Sequence, residues 1–338
     1  MDRRKTNIKD IAKRTKLSIT TVSRVLNGKA KQYRISENSQ KKIHEAAKVL
    51  NYIPNQIAVN LQSGRTRTIA LIIPSLMNPY FSRIAGLINM EMQQMGYATL
   101  ISDSNENPEI EKQELMQVNS RNVEGIIIAP CGNSPDQLRL IQNMKIPVVC
   151  LDRYIEGLEI PFVSTDNFKG AYQATKHFIK NGHTRIACIQ GIESSIPNQL
   201  RIKGFKTALE EEGINISSIS GCDFSVKNGY TETLLLLQNK LKPTAIFAMS
   251  NTIALGCMTA LKEYNFQIPE DISLIAFDDH PYLDYLSTPL TCVAQPVNDI
   301  CTIAVRLLFS LIKNEEIKTT QIFLQPTLKI RDSVKQLN

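Results

Sequence analysis

Apolar residues fall into two regimes along the chain. In the first fifty residues they recur at helical spacing in short blocks. Asn7 is a helix N-cap, with Asp10 placed to favour the positive helix start, and Ile8, Ile11 and Ala12 follow on one face of a helix that fades near Thr15. Leu17 is an apolar plug in a short turn. Ser18 then caps a second helix over 19–26, whose Val22, Val25 and Leu26 form one stripe, and Asn27-Gly28 stops it. A third helix, over 37–50, starts at Ser36 and buries Ile43, Ala46, Ala47 and Leu50. Two short helices joined by a tight turn form a helix-turn-helix, a unit that lays its second helix in the DNA major groove.

From about residue 66 the pattern changes. Short continuous apolar runs at 69–73, 98–101, 125–129, 148–151, 186–189, 245–248 and 272–277 read as buried strands. Amphipathic stretches at 81–95, 110–121, 170–181, 201–212, 231–240 and 253–264 alternate with them as helices. Alternating strands and helices imply parallel sheets with helices on both faces. The strands exceed what one compact sheet needs, so two subdomains are expected. The length of 338 residues suits two or three domains.

Charge sharpens this division. Residues 1–67 hold 16 Lys/Arg and 4 Asp/Glu, a net +12, whereas the remainder carries a net −5. A basic module joined to a mildly acidic body suits a polyanion partner. On the second helix the outward residues are Ile19, Thr20, Thr21, Ser23, Arg24 and Asn27. Hydroxyls and amides donate to phosphates, Arg forks onto a guanine edge, and Ile meets a thymine methyl. A solvated surface is the plain alternative for such a face.

The run Ile8-Lys9-Asp10-Ile11-Ala12-Lys13, then Leu17-Ser18, then Thr21-Val22-Ser23-Arg24-Val25-Leu26-Asn27-Gly28, resembles the amino-terminal domain of the LacI/GalR family of bacterial transcription regulators. So do Asn51-Tyr52-Ile53-Pro54-Asn55 and the following Ala58, Leu61 and Gly64. The resemblance implies an all-α helix-turn-helix headpiece over 1–54, a hinge helix and linker over 55–65, and a two-lobed α/β core over 66–338. That core is similar to periplasmic sugar-binding proteins. Lobe one would comprise 66–164 and 296–324, and lobe two 165–295 and 325–338. The resemblance further implies that Ile19, Thr20 and Arg24 read bases, and that Thr21, Ser23 and Asn27 position the module on phosphates. Asn55, Ala58 and Leu61 would enter the minor groove as a hinge helix, with Leu61 wedging a base step. Seven residues from 56 to 62 are too few for a stable isolated helix, so DNA would order them. Gln62 stands where many relatives carry a basic residue, which implies a weaker contact there. Between Gly28 and Ser36 the segment Lys29-Ala30-Lys31-Gln32-Tyr33-Arg34-Ile35 is longer and more basic than many members show. It reads either as extra phosphate contact or as a solvated loop.

Ligands of open α/β sheets sit at the carboxyl ends of the strands. Polar residues near those places are Asn78-Pro79-Tyr80-Phe81, Asp152-Arg153, Arg201 at a helix start, Asp223-Phe224, Ser250-Asn251 and Asp278-Asp279. Each is equally readable as a helix cap or other structural residue. The resemblance raises Arg201, Asp278 and Phe224 to effector contacts, with Tyr80, Asp152, Arg153, Asp166 and Ser250 completing the expected set. Forked Arg and acceptor carboxylates suit a polyhydroxylated ligand lying on an aromatic ring. A sugar, sugar phosphate or sugar acid is the expected effector. A purine stacked on Phe224 or a protein co-repressor is the alternative. Ser250-Asn251 replaces the Asn-Asp of many relatives, which removes a carboxylate from the usual ligand set.

No phosphate-binding, dinucleotide or nucleophile-elbow motif occurs, and His44, His177, His183 and His280 have no nucleophile or metal partner by spacing. An enzyme is therefore not expected, nor a cofactor or metal. Seven scattered cysteines without a C-x-x-C pair suggest reduced thiols. No apolar run approaches a membrane span, and no apolar segment follows the charged start. A cytoplasmic homodimer on a pseudo-palindromic DNA operator is the expectation. An exported sugar-binding protein is the rival, but it leaves the basic headpiece unexplained.

Overall fold

The computed structural model describes residues 6–52, 65–132, 139, 140, 143, 146–155 and 157–337. The expected hinge residues Asn55, Ala58 and Leu61 lie outside them. The chain forms two compact units, Met1–Arg67 and Thr68–Asn338.

Among its described residues the first unit has three helices: α1 (Ile8–Thr15), α2 (Ile19–Leu26) and α3 (Glu37–Val49). A capping box opens α1, in which Asn7 Oδ1 accepts from the Lys9 N–H at 2.9 Å and Asp10 Oδ2 accepts from the Asn7 N–H at 2.8 Å. Ser18 Oγ caps α2 by accepting from the Thr21 N–H at 3.1 Å, and Ser36 caps α3. Helices this short are unstable alone, and their stability comes from a shared core. Ile11, Val22 and Ile43 are fully buried in it, each contributing about 1.5–3 kcal/mol. Ala30 is buried beside them, whereas residues 31–34 of the 29–35 segment are exposed.

The second unit contains two six-stranded sheets. The first has the order β11-β5-β4-β3-β1-β2, from β1 (Thr68–Ile73), β2 (Ala98–Asp103), β3 (Gly125–Ile128), β4 (Val148–Leu151), β5 (Phe162–Thr165) and β11 (Gln321–Leu324), all parallel. The second has the order β12-β10-β9-β8-β6-β7, from β6 (Ile186–Ile189), β7 (Ser218–Ser220), β8 (Ala245–Ala248), β9 (Ser273–Phe277), β10 (Thr291–Ala294) and β12 (Thr327–Lys329). Its pairs are parallel except β10 with β12. Helices α4 (Pro79–Gln94), α5 (Pro108–Ser120), α6 (Asn167–Lys180), α7 (Ile196–Glu210), α8 (Val226–Gln238), α9 (Asn251–Glu263) and α10 (Val297–Ile312) connect the strands. The chain passes from one sheet to the other after β5, after β10 and after β11.

Continuous apolar strands are buried on both faces, as the runs at β1, β3, β4, β6, β8 and β9 predict. Strands β5, β7, β10, β11 and β12 escape the sequence pattern. They are three or four residues long and carry Ser, Thr, Gln or Lys, so no run of apolar residues marks them. One expected boundary is corrected. Arg201 does not start a helix: α7 begins at Ile196, where Pro197 occupies the first turn, and Arg201 lies one turn further in.

Candidate functional site

In the headpiece, α2 turns Val22 and Val25 inward and leaves Ile19 46% exposed beside an exposed Thr20. The phosphate-facing candidates are engaged locally as well. Thr21 Oγ1 lies 2.8 Å from Ser18 Oγ, and Asn27 Nδ2 donates to Ser23 Oγ at 3.3 Å. Hydroxyls keep further donor and acceptor capacity after one such bond. Arg24 lies with its guanidinium carbon 3.7 Å from the centre of the Tyr33 ring. Tyr33 belongs to the longer 29–35 segment, which the Tyr33 N–H bond to the Lys29 carbonyl and the Ile35 N–H bond to the Ala30 carbonyl shape. The visible work of the segment is to lay an aromatic ring under the one Arg of the exposed helix. A planar guanidinium on a ring keeps its edge N–H groups outward and loses rotamer freedom.

In the second unit, Asn78, Tyr80, Phe81, Asp152, Arg153, Ser195, Pro197, Arg201, Phe224, Ser250 and Asp278 line one pocket. Seven of the eight expected effector residues are among them. The exception is Asp166, which caps α6 by accepting from the Lys169 N–H at 2.9 Å and takes Gln325 Nε2 at 3.2 Å, outside the pocket. It directly follows a strand, but its carboxylate is spent on the helix N-terminus. Ser250 serves both ways: it lines the pocket, and its Oγ accepts from the Ile253 N–H at 3.1 Å.

The two lining aspartates stand immediately after β4 and β9, in left-handed backbone conformations, with φ of 64° at Asp152 and 76° at Asp278. Non-glycine residues hold such angles only where surrounding structure imposes them. Sheet extension does so here: the Asp152 N–H donates to the Val163 carbonyl at 2.9 Å and the Asp278 N–H to the Val293 carbonyl at 3.0 Å. Each carboxylate is thereby set at a strand end. Tyr80 Oη donates to Asp152 Oδ1 at 2.7 Å and lies 3.2 Å from Gln295 Oε1. Gln295 Oε1 also accepts from Thr165 Oγ1, and Gln295 Nε2 donates to Asp278 Oδ1, both at 2.5 Å. This chain of bonds joins strand ends of the first sheet to Asp278 of the second.

Arg201 is the central cation. Its Nε donates to Asn167 Oδ1 at 2.8 Å and its Nη1 to the Met249 carbonyl at 2.6 Å, and its guanidinium carbon sits 3.6 Å from the Phe277 ring centre. Burial lowers its pKa, and the charges of Asp278 and Asp152 act against that. Burial likewise raises the Asp152 pKa, partly offset by Arg201 and Arg153. Burial and the Asp152 charge together push the Tyr80 phenol well above its ordinary value, so it stays a donor. Arg153 binds Glu106 with both arms, Nη1 to Oε2 and Nη2 to Oε1, each at 2.7 Å. Its guanidinium carbon lies 5.6 Å from the Phe81 ring centre and 5.8 Å from that of Phe224. Gly191 makes room for the Phe224 ring, since a Cβ there would stand 2.1 Å from Phe224 Cε1. The cavity left among these groups is about 20 Å³, room for roughly one water.

Sequence reasoning missed Ser195, Pro197, Gln295 and Glu106. Gln295 directly follows β10, a four-residue strand that no apolar run marks, so the strand-end rule has nothing to act on. Ser195 is the N-cap residue of α7, which starts five residues before Arg201. Its Oγ is buried and has no hydrogen-bond partner among the described residues, an unspent donor on the pocket wall. Among the described residues no cluster of His, Cys, Asp or Glu could hold a metal, and no helix is long and apolar enough to cross a membrane. His183 is structural. Its Nδ1 lies 2.9 Å from Thr244 Oγ1 and its Nε2 3.0 Å from the Lys335 carbonyl, which anchors the carboxyl-terminal segment to the second sheet.

Comparison with known proteins places both units. Residues 7–55 match the lacI family of bacterial regulatory proteins, and residues 175–334 match the periplasmic binding protein-like domain. The chain is 33% identical to the HTH-type transcriptional regulator DegA of Bacillus subtilis over 99% of both chains. It is 32% identical to the ribose operon repressor of Halalkalibacterium halodurans over 98% of this chain and 97% of that one. A crystal structure of the lac repressor dimer bound to operator and the anti-inducer ONPF superposes with a TM-score of 0.88 at 25% identity, covering 98% of this chain and 100% of that chain. A helix-turn-helix headpiece followed by a two-lobed α/β core, matched end to end by such relatives, means that the chain belongs to the LacI family of bacterial transcription regulators.

Proposed function

We propose that this regulator is a cytoplasmic, non-enzymatic repressor that binds a pseudo-palindromic operator as a homodimer and is controlled by a polyhydroxylated effector in the Asp152–Arg201–Asp278 pocket. The observation that carries the effector reading is the pocket's hydrogen-bonding inventory. Two strand-end carboxylates, the unspent part of the Arg201 fork and the unpartnered Ser195 hydroxyl surround an aromatic ring. Such groups satisfy ring hydroxyls, whereas an apolar ligand would leave them desolvated at several kcal/mol each. The names of two relatives agree with a small-molecule-controlled repressor: one is a ribose operon repressor, and the lac repressor structure carries an anti-inducer with the operator.

On DNA, Ile19, Thr20 and Arg24 read base edges, while Thr21, Ser23 and Asn27 hold phosphates. A single helix-turn-helix covers one half-site, so a two-fold dimer reads both halves. Asn55, Ala58 and Leu61 complete the contact in the minor groove. The cavity of about 20 Å³ is smaller than a sugar, and the Gln295 bonds join the strand ends beside it, so effector binding parts those ends. That movement changes the lobe from which the chain continues, through Thr68, into the linker. A purine is the second reading, favoured by the Phe81 and Phe224 rings on the pocket wall.

The test is a thermal-shift screen of the full-length protein against monosaccharides, disaccharides, sugar acids and purines, followed by operator gel shifts with every hit. A carbohydrate that shifts both the melting temperature and operator binding is the expected result. A purine as the sole hit would replace the reading.

A further inference from the structure

The pocket holds two guanidinium groups, and one of them is already taken. Arg153 would be the natural seat for a phosphate or carboxylate on an effector, since bidentate forks select such groups. Both arms of that fork are instead spent on Glu106, at 2.7 Å each, and the Arg153 side chain is only 6% exposed.

The Glu106 placement is not incidental. Asn105 and Glu106 both hold left-handed backbone angles, φ 50° and 53°, an uncommon succession for residues other than glycine. The turn is pinned by three bonds: Ser104 N–H to the Ile73 carbonyl at 2.9 Å, Glu106 N–H to the Pro74 carbonyl at 2.8 Å and Asn107 N–H to the Ser104 carbonyl at 2.9 Å. The Asn105 N–H also donates to Asp103 Oδ1 at 2.8 Å. The end of the second strand of the first sheet is thus bent to deliver one carboxylate to Arg153.

The other guanidinium does not compensate. Arg201 has Nε held by Asn167 and Nη1 by the Met249 carbonyl, so only the remainder of its fork is open, and its charge already faces the carboxylates of Asp278 and Asp152. Among the described residues, the carboxylates of Glu106, Asp152 and Asp278 thus already face these two guanidinium groups.

We infer that Glu106 is a specificity-determining residue that restricts the effector to uncharged polyhydroxylated molecules, excluding sugar phosphates and sugar acids. This rests on the polyhydroxylated-effector reading above and narrows it. Ring hydroxyls donate to the carboxylates and accept from Arg201 and Ser195 without disturbing the Arg153–Glu106 pair. An anion must either displace Glu106, leaving its carboxylate unpaired, or sit beside Asp152 and Asp278.

The experiment is titration calorimetry of the full-length protein with paired compounds: each neutral pentose, hexose or disaccharide against its phosphate and its aldonic or uronic acid. The wild type should bind the neutral member about 100-fold or more tightly than its anionic counterpart, as like-charge juxtaposition demands. Glu106→Gln keeps the shape and removes the charge, and should narrow that ratio at least about tenfold by raising anion affinity. Glu106→Asp keeps the charge and should retain the discrimination. A wild type that prefers the anionic member overturns the inference while leaving the carbohydrate reading intact, and so does a folded Glu106→Gln protein with an unchanged ratio. If only purines bind, the carbohydrate reading itself fails and the inference falls with it.

Discussion

The headpiece and the pocket proposed for the effector solve the same problem, placing polar groups for recognition, by opposite routes. Helix α2 displays its DNA-facing candidates within nine consecutive residues, 19 to 27, on one short element. The pocket gathers its walls from positions as far apart as Asn78 and Asp278, with Gln295 tying strand ends behind them. The headpiece face is exposed at Ile19 and Thr20 and half-buried at Thr21, Ser23, Arg24 and Asn27, and its groups are cheap to leave in water. The pocket groups are buried, so each must be answered by a partner, and removing one leaves others stranded. A display surface tolerates substitution with graded loss. A buried polar network does not.

The sharpest way to break this contrast is Arg201→Ala. Loss of the buried cation removes the charge that both Asp152 and Asp278 face and should cost the second unit about 3–5 kcal/mol, read as a lowered melting temperature. Any effector response should vanish, while operator affinity without effector stays within a few-fold at a temperature where the protein is folded. If the melting temperature barely moves, the network is less coupled than its geometry implies.

Ile43→Ala tests the headpiece as a separate unit. Removing a fully buried side chain from so small a core should cost about 2–5 kcal/mol. Operator binding should then be lost with the main thermal transition of the core unchanged, as followed by calorimetry and gel shift.

Arg24→Ala should cost about 1–3 kcal/mol on the specific site and relax the base preference at one position. Tyr33→Ala, which removes only the ring beneath Arg24, should lose about 0.5–1 kcal/mol of the same preference, and Tyr33→Phe should restore it. Equal losses on specific and random DNA for Arg24→Ala would reassign it to the phosphate backbone.

The smallest expected effect is one of pH. Burial raises the Asp152 pKa above its unfolded value of about 3.9. The folded state therefore holds that proton more tightly. The resulting stability is fully present below the unfolded pKa and is lost as pH rises through the raised folded value. Effector binding runs the other way, because the ionised carboxylate accepts hydroxyls more strongly, and at more sites, than the protonated acid. Between about pH 4 and the raised value, acidification should weaken effector affinity without a matching loss of ligand-free stability contributed by Asp152. Asp152→Asn should remove that dependence in calorimetric titrations.

The headpiece was legible from its residues because its signals are local. Asn7, Ser18 and Ser36 act within three or four positions, and the spacing of Ile11, Val22 and Ile43 marks the buried faces. The βα rhythm of the second unit was legible for the same reason, wherever a strand was apolar on both faces. Asp152, Arg201 and Asp278 could be singled out because strand ends and a resemblance pointed to them. Their partners could not.

Those partners depended on the tertiary structure alone. Glu106 reaches Arg153 across 47 positions, Gln295 reaches Tyr80 across 215, and Asp166 is diverted to a helix cap. Tyr33 belongs with them despite its nine-residue distance from Arg24, since only the fold of the 29–35 segment brings ring and guanidinium together. Periodicity and capping are set by the backbone within a turn or two, and a sequence displays them directly. Which buried charge meets which counter-charge is decided by sheet order and by the turns between strands, and no spacing along the chain records it.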